Sequence, residues 1–293
     1  MIWAILAVLC AFIWATTNII DKFVVTKWIR KPLAPLIVFS VIGFLSGIGV
    51  YVFQGFSHLS AINIFLAMLS GGLLIPILAL YFKAVKIEEI SKLVPFFYLS
   101  PVFTVVIAGL LLGEIFTPLK YLGIFLIVFG SIFISSGELK LKIGKAFLFM
   151  ILSAFLLSIT GILTKYVLGF ADYWTIFGWC RIGSFMASLP LFYFFLPEIV
   201  FSVKKYGKKV VGFISASELL NLLATLLFTV ALSSGFVTLA TALTSTQAFF
   251  VLMLATLLTI FYPKIIREKV NRKILVVKLS AIVMMFAGVF LII

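Results

Sequence analysis

Long apolar segments follow one another along the whole chain, and their length is the feature that most limits how it can fold. A helix that crosses the hydrocarbon core of a bilayer needs about 20 mostly apolar residues. The 293 residues are 64% hydrophobic and only 11% charged, whereas a soluble domain is about 25% charged. The sequence therefore predicts an all-α integral membrane protein with ten transmembrane helices. They are expected at about 2–20, 33–53, 61–82, 90–112, 118–136, 146–168, 174–196, 210–232, 237–262 and 275–293.

The basic residues are distributed unevenly between the connections. Of the 23 Lys and Arg residues, Lys120 and Lys165 lie in even-numbered connections and Arg181 lies inside a span, which leaves 20 in or beside odd-numbered connections. Because cytoplasmic loops are enriched in Lys and Arg, the odd-numbered connections are predicted to be cytoplasmic and both termini to lie outside. The basic residues are scattered and form no patch with interleaved aromatics, so no nucleic-acid partner is predicted.

The two halves of the chain share a sequence pattern. An offset of 143 residues aligns the first span with the sixth and pairs, among seven matches in sixteen positions, Lys22 with Lys165. This predicts one five-helix unit in 1–137 and a second in 144–293. An odd number of spans in each unit inverts the second copy in the membrane, as in many secondary transporters, whose binding site lies at the interface of the repeats.

The first unit resembles a known transporter family in a run of short motifs. They are Leu80-Tyr81-Phe82-Lys83-Ala84-Val85, Tyr98-Leu99-Ser100-Pro101-Val102-Phe103, Leu111-Leu112-Gly113-Glu114, Thr117-Pro118, Gly123 and Gly130. These motifs resemble the EamA-type half of the drug/metabolite transporter superfamily. The resemblance implies ten helices in two inverted halves and the export or exchange of small polar metabolites, often amino acids, around a central cavity.

The sequence departs from that family pattern at three points. Gln247 stands in the second half where the first half has Pro101, and Arg267-Glu268 replaces the Gly-Glu pair after an inserted basic segment. Members of the family are usually drawn with both termini in the cytoplasm, which is opposite to the orientation that the basic residues predict here.

Few ionisable side chains fall inside the predicted spans, and these are the main candidates for binding. A charge at the centre of a span costs about 2.5–3.5 kcal/mol and therefore usually faces the protein interior or a water-filled cavity. Arg181 lies in the seventh span, and Glu218 lies near the middle of the eighth, on one face with Asn221. Arg181 suits a substrate carboxylate, and Glu218 suits an amine or a coupling proton. Alternatively, Arg181 and Glu218 neutralise each other, or Glu218 and Asn221 bond neighbouring helices.

Three further spans contribute candidates for contact with the substrate. These are Trp14 on the first helix, Tyr98 on the fourth and Gln247 on the ninth. Asp21 and Lys22 fall just past the predicted end of the first span, where we expect them to be in contact with water.

Two prolines are expected to shape the fourth span. Pro95 and Pro101 stand on either side of Tyr98, and a proline removes a backbone donor and kinks a helix. The bend is predicted to act as a hinge that opens or closes one end of the cavity, and a static kink is the alternative.

The inventory of motifs favours transport over catalysis. The chain has no Walker-type nucleotide-binding loop, so its energy source would be an ion gradient or the substrate gradient. The sequence predicts a secondary transporter, an exporter or exchanger of small polar or zwitterionic metabolites, that works in the lipid bilayer by alternating access. A flippase-like transporter of a lipid-linked head group is the alternative. An integral membrane enzyme is disfavoured, since the spans hold no paired aspartates, no HExxH and no Ser-His-acid set; no catalytic residue, metal or cofactor is predicted.

Overall fold

The computed structural model describes residues 2–87, 93, 96–135, 144–261 and 272–293, and these residues form helices joined by short connections. The helices are α1 (Ile2–Lys27), α2 (Pro35–Gln54), α3 (Ala61–Ile87), α4 (Ser100–Leu111), α5 (Pro118–Ser135), α6 (Lys145–Val167), α7 (Tyr173–Tyr206), α8 (Lys209–Ser234), α9 (Val237–Thr244), α10 (Gln247–Phe261) and α11 (Arg272–Ile292).

The described helices have the length and surface of a membrane protein. Seven segments are long and apolar enough to cross a bilayer, namely α1, α2, α3, α6, α7, α8 and the stretch Val237–Leu258. Shorter apolar helices are formed by α4, by residues 118–133 of α5 and by residues 280–292 of α11. Large apolar side chains face outwards, among them Phe53 and Phe290, which are 88% and 84% exposed. The chain is therefore a multi-pass membrane protein, and the arrangement of ten spans in two inverted units stays a prediction.

The ends of α7 show how local sequence sets the helix boundaries. Asp172 lies just before the helix and accepts hydrogen bonds from the backbone N–H groups of Trp174 and Thr175, which satisfies two donors that the first turn leaves unpaired. The helix stops at Gly207, whose φ of +84° is a conformation that other residues rarely adopt. Between these ends the helix carries Pro190 and Pro197 in its interior.

Helices from the two halves of the chain pack against each other. The most extensive contacts are those of α5 with α11, α3 with α6, α1 with α8, and α7 with both α2 and α3. At the α3–α7 crossing the backbones meet directly, since a Cβ atom added at Gly71 would lie 1.7 Å from the carbonyl oxygen of Cys180. This approach brings the part of α7 that carries Arg181 against α3.

One interhelical contact occurs in both halves. The Nζ atom of Lys22 on α1 donates to the carbonyl oxygen of Val85 on α3, at 3.0 Å. The Nζ atom of Lys165 on α6 donates to the carbonyl oxygen of Leu232 on α8, at 2.7 Å. Lys22 and Lys165 are the residues that the sequence offset pairs, so the first and third long helices of each half are tied together in the same way.

The predicted ninth span is interrupted at one point. Residues 245–246 form a turn between α9 and α10. The hydroxyls of Thr244 and Thr246 donate to the carbonyls of Thr241 and Leu243, so side chains compete for the acceptors that a continuous helix would use. The backbone N–H of Thr246 bonds three residues back, to Leu243.

The predicted fourth span is also interrupted, at a position equivalent to the break in the ninth. Residues 98–99 form a turn before α4 begins at Ser100. Pro101 lies in the first turn of α4, where a proline is well tolerated because the backbone N–H that it lacks would have no partner within the helix. Pro95, the other predicted hinge residue, lies outside the described residues.

Candidate functional site

A cavity of about 230 Å³ lies between helices of both halves, and the predicted site residues line it. Its wall is built from residues of α1, α2, α3, α4, α6, α7, α8, α9 and α10, together with the turns that precede α4 and α10. The wall includes Trp14, Tyr98, Pro101, Arg181, Glu218, Asn221 and Gln247. The structure thus brings together seven of the eight residues that the sequence singles out, and their role in binding stays a prediction.

A chain of polar contacts joins three helices across one wall of the cavity. The indole Nε1–H of Trp14 on α1 donates to the Oδ1 atom of Asn221 on α8, at 3.1 Å. The Nδ2 atom of Asn221 donates to Glu218 Oε2 at 2.9 Å. The other carboxylate oxygen, Oε1, lies 4.0 Å from Arg181 Nη1 on α7. Asn221 therefore bonds a neighbouring helix and also faces the cavity.

Arg181 is buried, and one of its N–H donors makes no hydrogen bond to the residues that the structure describes. The residue is 4% exposed, and among the described residues its Nε–H has no hydrogen-bond partner. Its guanidinium carbon lies 5.3 Å from the centre of the Phe177 ring. The separation of 4.0 Å from Glu218 exceeds the roughly 2.7–2.9 Å of a strong N⁺–H···O⁻ hydrogen bond. Both charged groups consequently retain hydrogen-bonding capacity that a bound molecule can use.

Asp21 was expected to be in contact with water, and the structure shows that this prediction was wrong. The residue is buried, lines the cavity and accepts a hydrogen bond of 2.6 Å from the hydroxyl of Ser217 on α8. The prediction was wrong because α1 continues to Lys27, well past the expected end at residue 20. Lys22 is half-buried, and its ammonium bonds the Val85 carbonyl.

The sequence already held a signal for Asp21 and its neighbours. Trp14, Asn18 and Asp21 are spaced four and three residues apart, so they share one face of a helix. Asn18 accepts a hydrogen bond of 3.4 Å from the hydroxyl of Tyr81 on α3, and all of these residues line the cavity. Tyr81 belongs to the first of the short motifs, yet its place at the site was not inferred from the sequence.

The remainder of the wall combines Ser and Thr residues with large apolar side chains, and its size limits what the cavity can hold. Leu74, Leu78 and Leu157 contribute aliphatic surface, and Phe39 and Phe228 contribute aromatic surface. Pockets for drug-sized ligands measure about 300–1,000 Å³, so a cavity of about 230 Å³ suits a small solute. Among the described residues no group of three or more His, Cys, Asp or Glu side chains could hold a metal ion.

The first half of the chain matches a known protein family. Residues 1–136 match the EamA-like transporter family. The resemblance drawn from the short motifs is thereby confirmed, and because EamA-like proteins are membrane transporters, the match favours transport over catalysis. A transporter of this kind acts on a small-molecule substrate within a lipid bilayer.

The fold comparison extends over both halves. A protein of known crystal structure is 14% identical to this chain, and the match covers 98% of this chain and 95% of that one, with a TM-score of 0.70. At that identity the likeness shows the fold alone. No curated protein matches the chain in sequence.

The Gly-Glu pair of the EamA-like half has a structural role at the junction with the second half. Gly113 has a φ of +67°, and the Glu114 beside it is buried. The carboxylate of Glu114 accepts hydrogen bonds from the backbone N–H groups of Val237 and Thr238, at 2.8 and 3.0 Å. These are the first residues of α9, so a carboxylate from the first half caps a helix of the second.

Proposed function

We propose that the protein is a secondary transporter that moves a small amino-acid-like metabolite across the membrane by alternating access to this cavity. The proposal includes ten spans in two inverted five-helix units, with the odd-numbered connections in the cytoplasm and both termini outside. The observation that carries it is the buried pair of Arg181 and Glu218, two opposite charges that face one small cavity 4.0 Å apart.

The pair suits a molecule that carries both an ammonium and a carboxylate. The guanidinium of Arg181 offers a planar fork of donors for the carboxylate. Glu218 accepts from an ammonium, and Asn221 and Trp14 hold Glu218 in place through their hydrogen bonds. A zwitterion that inserts between the two charges would neutralise each of them, so it can be buried without an unpaired charge.

The interrupted helices supply points at which the cavity walls can bend. The turn at 98–99 precedes α4, and the turn at 245–246 separates α9 from α10. Tyr98, Pro101 and Gln247 lie at or next to these turns and line the cavity. Discontinuous helices at the binding site are a recurring feature of transporters built from inverted repeats. We infer that bending at the two turns opens the cavity to one side of the membrane and closes it to the other.

Counterflow in liposomes tests the proposal directly. The purified protein is reconstituted, loaded with an unlabelled L-amino acid and assayed for uptake of the labelled one, with each amino acid tested in turn. We expect uptake by the wild-type protein and by the control variant Lys204→Gln, which removes an exposed charge from α7. We expect Arg181→Gln and Glu218→Gln to lose uptake.

Three outcomes would overturn the proposal. Uptake that is unchanged in Arg181→Gln would remove the buried pair from the binding site. Movement of a lipid reporter between leaflets, in the absence of any amino-acid uptake, would establish the flippase-like alternative. Chemical conversion of a solute by the protein in detergent, where no second compartment exists, would establish an enzyme.

A further inference from the structure

The cavity holds a second buried carboxylate that the proposed binding mode does not use. Asp21 on α1 is 9% exposed, lines the cavity and bonds Ser217, the residue next to Glu218 on α8. Asp21 and Glu218 are close enough to interact electrostatically. The cavity therefore presents two carboxyl groups, those of Asp21 and Glu218, to a bound molecule.

The charges of the cavity do not balance. Among the lining residues that the structure describes, Arg181 is the one basic side chain, and Asp21 and Glu218 are the acidic ones. With both carboxylates ionised the lining carries one net negative charge, and a zwitterion adds none. A buried charge without a partner is strongly disfavoured, so the closed cavity needs one more positive charge.

Among the residues that the structure describes, the groups that face Asp21 do not supply that charge. Its hydrogen-bond partner is the hydroxyl of Ser217, and the side chains from neighbouring elements that interact with it electrostatically are Tyr81 of α3 and Glu218. On its own helix, Lys22 directs its ammonium to the carbonyl of Val85. Nearby Lys86 bonds carbonyls at the end of α1, and the sequences of α9 and α10 contain no ionisable side chain.

The corresponding contact in the other half shows that the acid is not needed to join the helices. Thr164 on α6 occupies the position that the offset of 143 residues pairs with Asp21. Its hydroxyl lies 2.7 Å from the hydroxyl of Ser70 on α3, and both residues line the cavity. Two hydroxyls thus make the contact between α6 and α3 that Asp21 and Ser217 make between α1 and α8. The contact between α1 and α8 therefore does not require the carboxylate of Asp21.

The hydroxyl of Tyr98 indicates that a ligand or a water molecule reaches the wall of the cavity. Tyr98 is 3% exposed and lines the cavity, as Tyr81 does. Among the described residues its hydroxyl has no hydrogen-bond partner. Buried polar groups are nearly always hydrogen-bonded, so a molecule in the cavity is expected to complete this site.

We propose that the cargo is a cation with a net charge of +1, a diamino acid in which the second ammonium binds Asp21, and that a proton occupies Asp21 when the cargo is absent. This inference rests on the proposed function and narrows its substrate class. The carboxylate of the cargo binds Arg181, its α-ammonium binds Glu218 and its side-chain ammonium binds Asp21. Because one positive charge replaces another, the cavity is neutral both with and without cargo, and cargo is exchanged for a proton.

Paired ligands test the charge of the cargo. L-ornithine and L-glutamine have side chains of similar length, but only that of L-ornithine is cationic. The purified protein is expected to bind L-ornithine at least tenfold more tightly, with an affinity that rises with pH by up to about tenfold per unit, the limit for one displaced proton. Asp21→Asn is expected to abolish both the preference and this pH dependence, and Lys204→Gln, at an exposed position of α7 away from the cavity, is expected to keep both. Equal binding of the two ligands by wild-type protein would overturn the proposal.

A second measurement needs no cargo. Infrared spectra of the purified protein, recorded between pH 5 and 9, report protonated carboxyl groups through their C=O stretch. A band that titrates in wild-type protein and in Lys204→Gln, and is missing in Asp21→Asn, supports proton binding at Asp21. An unchanged band in Asp21→Asn would overturn it. If no amino acid binds to wild-type protein, the proposed function fails while the infrared result still decides the proton site.

Discussion

Arg181 Nη1 and Glu218 Oε1 lie 4.0 Å apart on neighbouring helices, in a cavity where both residues are nearly inaccessible. Asn221 binds the other carboxylate oxygen of Glu218, at 2.9 Å. The result is a charged pair that is close enough for mutual stabilisation and open enough to bind a third group.

Replacing only one of the two charged residues is expected to destabilise the protein more than replacing both. Arg181→Gln leaves the Glu218 carboxylate buried without a counter-charge, and the free energy of unfolding should fall by about 3–5 kcal/mol. The double variant Arg181→Gln, Glu218→Gln removes both charges and should recover most of that loss without recovering transport. Thermal unfolding of the purified proteins in one detergent measures the difference. A double variant that is no more stable than Arg181→Gln would show that the charge imbalance is not the cause.

Glu114 is expected to contribute to stability and not to binding. It caps α9 through two backbone N–H groups, and loss of a cap typically costs about 0.5–2 kcal/mol. Glu114→Ala should lower the unfolding temperature and leave the dissociation constant of the cargo within about twofold of wild type, and Glu114→Gln, which keeps one acceptor oxygen, should be intermediate. Ligand-binding isotherms beside thermal unfolding curves provide the check. A large loss of affinity in a stable Glu114→Gln protein would assign this residue to the transport pathway.

Much of the helix content and most of the site could be predicted from the sequence. Apolar length alone locates the helices, and the cost of burying a charge selects Arg181 and Glu218 from among the ionisable residues. Both rules are independent of tertiary structure, because they follow from the properties of the bilayer. The shared face of Glu218 and Asn221 needs only the helical period.

The sequence was least informative where tertiary contacts override local pattern. Asp21 is a polar residue at the edge of an apolar run, which usually indicates a helix end; burial against Ser217 of α8 instead keeps it inside α1. The break at 245–246 depends on hydroxyl side chains that bond backbone carbonyls, and Ser and Thr occur throughout the predicted spans without causing breaks. The short distance from Arg181 to Glu218 depends on how α7 and α8 pack.

Asp172, just before the start of α7, is expected to make stability depend on pH. Burial raises the pKa of its carboxyl, but hydrogen bonds from Ser57, Thr175 and Trp174 outweigh that effect, so the pKa lies below its usual value. A carboxyl whose pKa is lowered in the folded state stabilises the protein above its unfolded pKa of about 3.9, and this contribution disappears as the pH falls through the lower folded pKa.

Substitution of Asp172 tests this dependence. Asp172→Ala should lower the free energy of unfolding by about 1 kcal/mol at pH 7, and the difference from wild type should diminish below about pH 4. Unfolding temperatures of the two proteins, measured from pH 7 to pH 3, give the comparison. A difference that stays constant over this range would show that the ionised carboxylate is not what caps the helix.

The break between α9 and α10 is expected to set the rate of transport. Thr244 and Thr246 donate their hydroxyls to carbonyls in the last turn of α9, and replacing both by Ala removes this competition and favours a continuous helix. The double variant should be at least as stable as wild type and should exchange the backbone N–H groups of 244–248 more slowly with deuterated water, while uptake slows several-fold. Thr256→Ala, on α10 and away from the break, serves as the control. If the double variant shows slower hydrogen exchange and unaltered uptake, bending at this turn is not a step of the transport cycle.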